Sequence, residues 1–126
     1  MILVTGGLGF IGSHTVVELV LQGDEVLIVD NLCNCEVGVL DSIEKITGKR
    51  PLFFEGDIRD TSFLDSLFHK YPIQMVVHFA ALKAVGQSLN FPLEYYSNNI
   101  AGTISLLEAM KKAKVKKVVF SSSATV

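Results

Sequence analysis

The sequence is poor in the residues that would point to metals, disulfides or charged polymers. Its two cysteines, Cys33 and Cys35, stand one residue apart with no second pair, which excludes a disulfide framework and a cysteine-based zinc site. His14, His69 and His78 are scattered and share no metal-ligand spacing, so no metal is expected. Eleven basic against thirteen acidic residues leave a net charge of −2, too little to steer the chain toward nucleic acid or an acidic membrane. The run Lys111, Lys112, Lys114, Lys116 and Lys117 is basic, but no aromatics are interleaved for base stacking, and lysines suit a helix C-terminus. No apolar run approaches the length of a membrane span, and the apolar start has no basic n-region. A cytoplasmic protein is expected. Repeats, low-complexity tracts and linkers are also missing.

What is present is apolar and regular. At 126 residues the chain suits one domain, taken as residues 1–126. Hydrophobic residues make up 49% and charged ones 19%, with a mean hydropathy of +0.43. That balance fits a parallel sheet covered on both faces, whose strands read as continuous Val/Ile/Leu runs. Such runs alternate with helical patterns. The predicted strands are Ile2–Thr5, Glu25–Val29, Leu52–Glu55, Met75–Phe79 and Val118–Ser121. Between them helices are expected over about 11–22, closed by Gly23, and over about 37–46 with Gly48 after it. A third is capped by Asp60 or Thr61 and runs to about His69, where Pro72 forbids its continuation; a long fourth runs from Pro92 to Lys112. Right-handed crossovers then give a doubly wound Rossmann-type α/β sheet of order 3-2-1-4-5. The sixth strand of the full pattern would lie past Val126.

In such sheets ligands bind at the carboxyl ends of the strands, near the switch point between strands one and four. The first strand runs into Thr5-Gly6-Gly7-Leu8-Gly9-Phe10-Ile11-Gly12, a G-x-G-x-x-G turn opening a helix. Glycines there permit a tight turn, close approach of a pyrophosphate, and tight helix–strand packing, while the helix start offers N–H groups and a positive dipole end. The second strand ends on Asp30. A carboxylate at that tip can accept from an adenosine ribose diol and repels a 2′-phosphate, which favours NAD over NADP. Asp57 and Ile58 follow strand three, where a carboxylate can accept from the adenine amine with Ile58 against the ring; a plain turn aspartate is the alternative. Phe79, Ala80, Ala81 and Lys83 follow strand four, where small residues let a cofactor lie on the backbone and Lys83 can reach a phosphate or ribose. Asn98 on the long helix can orient a loop or a ribose. Ser121, Ser122 and Ser123 close strand five, as sugar-binding hydroxyls or as turn formers. His78, inside an apolar strand, reads as a hydrogen-bonded core histidine.

These motifs together resemble the UDP-glucose 4-epimerases, of the extended short-chain dehydrogenase/reductase family. The likeness runs through Val4-Thr5-Gly6-Gly7-Leu8-Gly9-Phe10-Ile11-Gly12-Ser13-His14, Asp30-Asn31-Leu32-Cys33-Asn34, Glu55-Gly56-Asp57-Ile58-Arg59 and His78-Phe79-Ala80-Ala81-Leu82-Lys83-Ala84-Val85-Gly86. It continues in Pro92-Leu93-Glu94-Tyr95-Tyr96, Asn98-Asn99 and Phe120-Ser121-Ser122-Ser123-Ala124-Thr125-Val126. Related nucleotide-sugar 4,6-dehydratases carry an acidic pair where Ala124 and Thr125 stand, which argues against dehydration.

The resemblance implies reversible interconversion of UDP-glucose and UDP-galactose with tightly held NAD. A tyrosine base takes the 4-hydroxyl proton as hydride passes from C4 to the nicotinamide, and the 4-keto sugar rotates before hydride returns. Ser123 would hydrogen-bond that hydroxyl. Gly6, Gly7, Gly9, Phe10, Ile11 and Gly12 would line the pyrophosphate, and Asp30, Asn31 and Asn34 the adenosine ribose. Asp57 and Ile58 would hold adenine; Phe79, Ala80, Ala81, Lys83 and Asn98 would flank the rest of NAD. Ala81 replaces a common glycine and Cys35 a frequent serine. The Tyr-x-x-x-Lys pair and the UDP-sugar domain of the family fall downstream of Val126, so this chain alone is expected not to epimerise: a non-catalytic NAD-binding module or a truncated remnant. Another nucleotide-sugar epimerase or dehydratase is the alternative. A homodimer through the helix over 92–112 is possible by the same likeness.

Overall fold

The computed structural model describes residues 1–31, 38–79 and 100–120. Five strands, β1 (Ile2–Thr5), β2 (Val26–Asp30), β3 (Leu52–Glu55), β4 (Met75–His78) and β5 (Lys117–Phe120), form one parallel sheet of order β3-β2-β1-β4-β5. The helices between them are α1 (Phe10–Leu21), α2 (Gly38–Thr47), α3 (Thr61–Lys70) and α4 (Gly102–Ala113). The order is the doubly wound Rossmann-type arrangement that the alternating runs predict. Boundaries move by a residue: β2 begins after Glu25 and includes Asp30, and β4 stops before Phe79. Of the expected long helix, residues 92–99 lie outside the described residues, as does Ser121.

Alternate residues of each strand feed two cores. Leu3, Leu27, Val29 and Val76 point to one face, where α3 and α4 supply Leu64, Leu67, Leu106 and Met110. Val4, Ile28 and Val77 point to the other, against Val16 and Val20 of α1 and Leu40 and Ile43 of α2. Both faces of β1 and β2 are therefore covered, which is why those strands are apolar without alternation. Local signals fix the ends. The Asp60 carboxylate accepts the Phe63 N–H at 3.2 Å to start α3, and Gly23 (φ +94°) turns the chain out of α1.

The tightest packing lies in the turn from β1 to α1. Gly6 has φ +70°, and its carbonyl oxygen sits so close under Gly12 that a Cβ there would collide with it. Gly7 is almost as confined: a Cβ would come within 2.8 Å of Ile28 Cγ2. Gly38, by contrast, has nothing within 4 Å of a Cβ. Gly12→Ala is therefore expected to lower unfolding stability by about 1–3 kcal/mol, whereas Gly38→Ala should be neutral or stabilising by up to about 1 kcal/mol. Urea unfolding of both variants checks this; equal effects would contradict the packing.

Candidate functional site

The site predicted from the strand ends begins at β1. Gly6 N–H donates to the Val29 carbonyl at 2.7 Å, holding the turn against β2. Gly9 N–H reaches back to the Gly6 carbonyl at 3.1 Å, and Ser13 N–H closes the first helical bond on Gly9 at 2.8 Å. The N-cap of α1 is Gly9, which has no side chain to cap the helix, and the first turn holds no acidic residue. A helix start left in this way is suited to an anion. Phe10 opens the helix, and Ile11 follows with 56% of its surface exposed.

Asp30 closes the other side of the turn. It ends β2, is buried, and its Oδ2 accepts the Leu8 N–H at 3.2 Å. This carboxylate therefore satisfies a buried amide in the middle of the glycine turn and locks that turn to β2. Asn31 is exposed just beyond it. The next strand end is joined on as well, since Gly56 N–H donates to the Asp30 carbonyl at 3.1 Å.

Asp57 is held by its neighbour two residues on. Arg59 donates its backbone N–H to Oδ1 at 2.9 Å, its Nε to both oxygens at 3.0–3.1 Å, and Nη2 to Oδ2. These hydrogen bonds from the guanidinium hold the Asp57 carboxyl below the ordinary carboxylate range, against partial burial, which pulls the other way. Ile58 is 3% exposed and its side chain lies against Gly102 of α4, within 2.6–2.8 Å of where a Cβ would stand. Its side chain is thus committed to the core.

At β4, His78 is the buried hydrogen-bonded histidine that its apolar strand predicts. Its Nδ1 lies 2.6 Å from Thr5 Oγ1 and its Nε2 3.3 Å from Thr103 Oγ1. The Phe120 ring stands nearly perpendicular to it, the two ring centroids 5.5 Å apart. Phe79 follows, its N–H donating to the Thr5 carbonyl at 2.8 Å and to Thr5 Oγ1 at 3.1 Å. Asn34, Ala80, Ala81, Lys83, Asn98 and Ser123 lie outside the described residues, with Cys33 and Cys35. Gly6, Gly7, Gly9, Phe10, Ile11, Gly12, Asp30, Asn31 and Phe79 share the carboxyl edge around β1, with Asp57 and Ile58 past β3. Thr5, Arg59 and Thr103 are contributors that the sequence reading passed over. Thr5 and His78 were detectable as polar residues that end two apolar strands, which the sheet sets side by side. Among the described residues no three His, Cys, Asp or Glu side chains gather as a metal site, and no helix is long and apolar enough to cross a membrane.

Fold and edge define a Rossmann-type α/β protein. A family model described as GDP-mannose 4,6 dehydratase matches residues 3–126. The UDP-glucose 4-epimerase of Yersinia pestis is 58% identical over 99% of this chain, which spans 37% of that protein's length. A UDP-glucose 4-epimerase sequence of Klebsiella pneumoniae is 54% identical, again over 99% of the chain, which covers 90% of it. The solved UDP-glucose 4-epimerase of Stenotrophomonas maltophila, with bound NAD and formylated UDP-arabinopyranose, superimposes with a TM-score of 0.96 at 53% identity, covering 99% of this chain and 37% of that one. The chain belongs to the UDP-glucose 4-epimerase family, and it spans little more than a third of the length of most of these relatives.

One prediction concerns Asp57. Because its folded pKa is depressed, its contribution to stability is present above the unfolded carboxylate pKa and fades as pH falls through the lower folded value. Carbon-detected NMR titration should place Asp57 below the ordinary range, and Arg59→Leu should bring it back up. An unchanged titration in Arg59→Leu would contradict the pairing.

Proposed function

We propose that residues 1–126 form the NAD-binding domain of a UDP-glucose 4-epimerase, and that by themselves they hold NAD without interconverting UDP-glucose and UDP-galactose. The observation that carries this is the β1–α1 turn: a helix start with no capping side chain, packed through Gly7 and Gly12 where a Cβ has no room, tied by Leu8 to the carboxylate of Asp30. A dinucleotide fits that cradle, and the S. maltophila relative was solved with NAD bound.

In this reading Gly6, Gly7, Gly9, Phe10, Ile11 and Gly12 take the pyrophosphate on the helix start. Asp30, with Asn31 and Asn34, accepts from the adenosine ribose and repels a 2′-phosphate. Asp57, kept ionised by Arg59, is the acceptor for adenine, with Ile58 beside it. Phe79, Ala80, Ala81, Lys83 and Asn98 flank the remainder of the cofactor. Bound NAD supplies the hydride acceptor for sugar C4, and Ser123 holds the 4-hydroxyl at which a base must act.

No tyrosine in these 126 residues is followed four positions later by lysine: Met75, Asn99 and Ile100 stand there. Without that base, loss of rate by orders of magnitude follows. Ala124 and Thr125 after Ser123 favour epimerisation over the dehydration for which the family model is described. For the complete enzyme we propose a cytoplasmic homodimer that uses the helix of α4. Ile104 and Leu107 on it, and Ile100 just before it, are 42–58% exposed.

Calorimetric titration of the 126-residue chain tests this. NAD should bind, NADP at least about tenfold more weakly, and Asp30→Asn should narrow that gap. A coupled assay should find no UDP-galactose turnover. A chain folded by circular dichroism that binds neither cofactor sinks the reading, as does measurable turnover for its second half.

A further inference from the structure

We infer that Gly102 of α4 is a positioning residue for the adenine end of the cofactor site, acting through Ile58 on the carboxylate of Asp57. The inference rests on the NAD-binding reading and extends it to a residue of α4. Its basis is one contact. A Cβ on Gly102 would stand 2.6 Å from Ile58 Cδ1 and 2.8 Å from Cγ1, the first about 0.8 Å inside ordinary van der Waals contact at 3.4 Å. Gly102 is buried in the first turn of a helix, where alanine is the better former and no left-handed turn calls for glycine. What calls for it is the space that Ile58 takes.

Neither side of that contact gives way freely. Ile58 is 3% exposed and shares one core with Leu64 and Leu67 of α3 and with Leu106 and Met110, which anchor α4. The turn that carries Ile58 is held at both ends. Before it, Gly56 N–H donates to the Asp30 carbonyl at 3.1 Å, and a Cβ on Gly56 would collide with the Phe63 ring. After it, Asp60 N–H donates to the Asp57 carbonyl at 2.9 Å, and the Asp60 carboxylate caps α3. Asp57 thus stands between two confined contacts, Gly56 on Phe63 and Ile58 on Gly102. A hydrogen bond is lost when one partner moves by most of an ångström, so a displacement of the size that a Cβ on Gly102 demands is felt at the adenine amine. The pyrophosphate end rests on other contacts, Gly12 over Gly6 and Gly7 against Ile28.

Calorimetric titration with two dinucleotides separates this role from general packing: NAD, and its hypoxanthine analogue, in which a carbonyl oxygen replaces the adenine amine. The unaltered chain should prefer NAD by roughly tenfold, the worth of one hydrogen bond to a charged acceptor. Gly102→Ala should weaken NAD roughly tenfold and the analogue by less than about threefold, so that the preference collapses. Ile58→Val, which trims Cδ1, should restore at least about threefold of the preference in that background, because the two changes meet at one contact. A folded Gly102→Ala that keeps the preference overturns the inference. So does one that weakens both ligands equally, a double variant whose losses simply add, or an unaltered chain that binds both alike. If Gly102→Ala fails to fold, Ile58→Val alone decides: by slackening the same contact it should narrow the preference at least about threefold, and an unchanged preference overturns the inference. Should the unaltered chain bind neither dinucleotide, the functional reading fails, and the Asp57 carboxyl carbon resonance tests the positioning on its own: moved by Gly102→Ala, or by Ile58→Val, it stands; unmoved, it falls.

Discussion

The close approach of the Gly6 carbonyl to the first turn of α1 governs the rest of the molecule. It sets how near the helix lies to the sheet, and so where Val16 and Val20 meet Val4 and Ile28. Because glycine alone fits at that contact, and the only side chain between β1 and α1, that of Leu8, is buried in the core, the helix start carries no capping side chain. The same lack of side chains that makes the packing possible exposes the helix start to a ligand. Stability and binding thus draw on one turn.

Asp30 carries two demands in a similar way. Its carboxylate satisfies the Leu8 N–H, which would otherwise be a buried amide without a partner, and so ties the turn to β2. It also brings a negative charge to the spot where an adenosine ribose would lie. A group fixed by its own protein in this manner needs little rearrangement to receive a ligand, which keeps the entropic cost of binding low. Asp57 follows the same logic with Arg59, although at a more exposed site, where the ion pair contributes little to stability and mainly orients the carboxylate.

Much of this was legible in the sequence because it is local. The apolar runs that make β1 to β4, the glycine turn, the Asp60 cap and the break at Gly23 each depend on residues a few positions apart, and their chemistry is unambiguous. The sheet order followed from the handedness of crossovers. What the sequence hid depends on alignment of distant strands. Nothing near Leu8 indicates that its amide needs Asp30, and His78 reads only as a core histidine until Thr5 and Thr103 are placed beside it. Ile58 is a similar case: that its side chain packs over Gly102 of α4 has no signal in the local sequence. Arg59, two residues beyond Asp57, went unread because an i, i+2 pair in a turn has no periodic signature.

The central claim is that a dinucleotide sits on the carboxyl edge of this sheet, across the β1–α1 turn. Amide NMR spectra recorded during titration of the chain with NAD test it most directly. Resonances of Gly6 to Gly12, Asp30, Asn31 and Phe79 should shift together and saturate with one affinity. The opposite edge holds a cleft of about 250 Å³ lined by Asp24, Glu25, Lys49 and Arg50, and its resonances should stay still. Shifts confined to that cleft, with the glycine turn unmoved, would contradict the account.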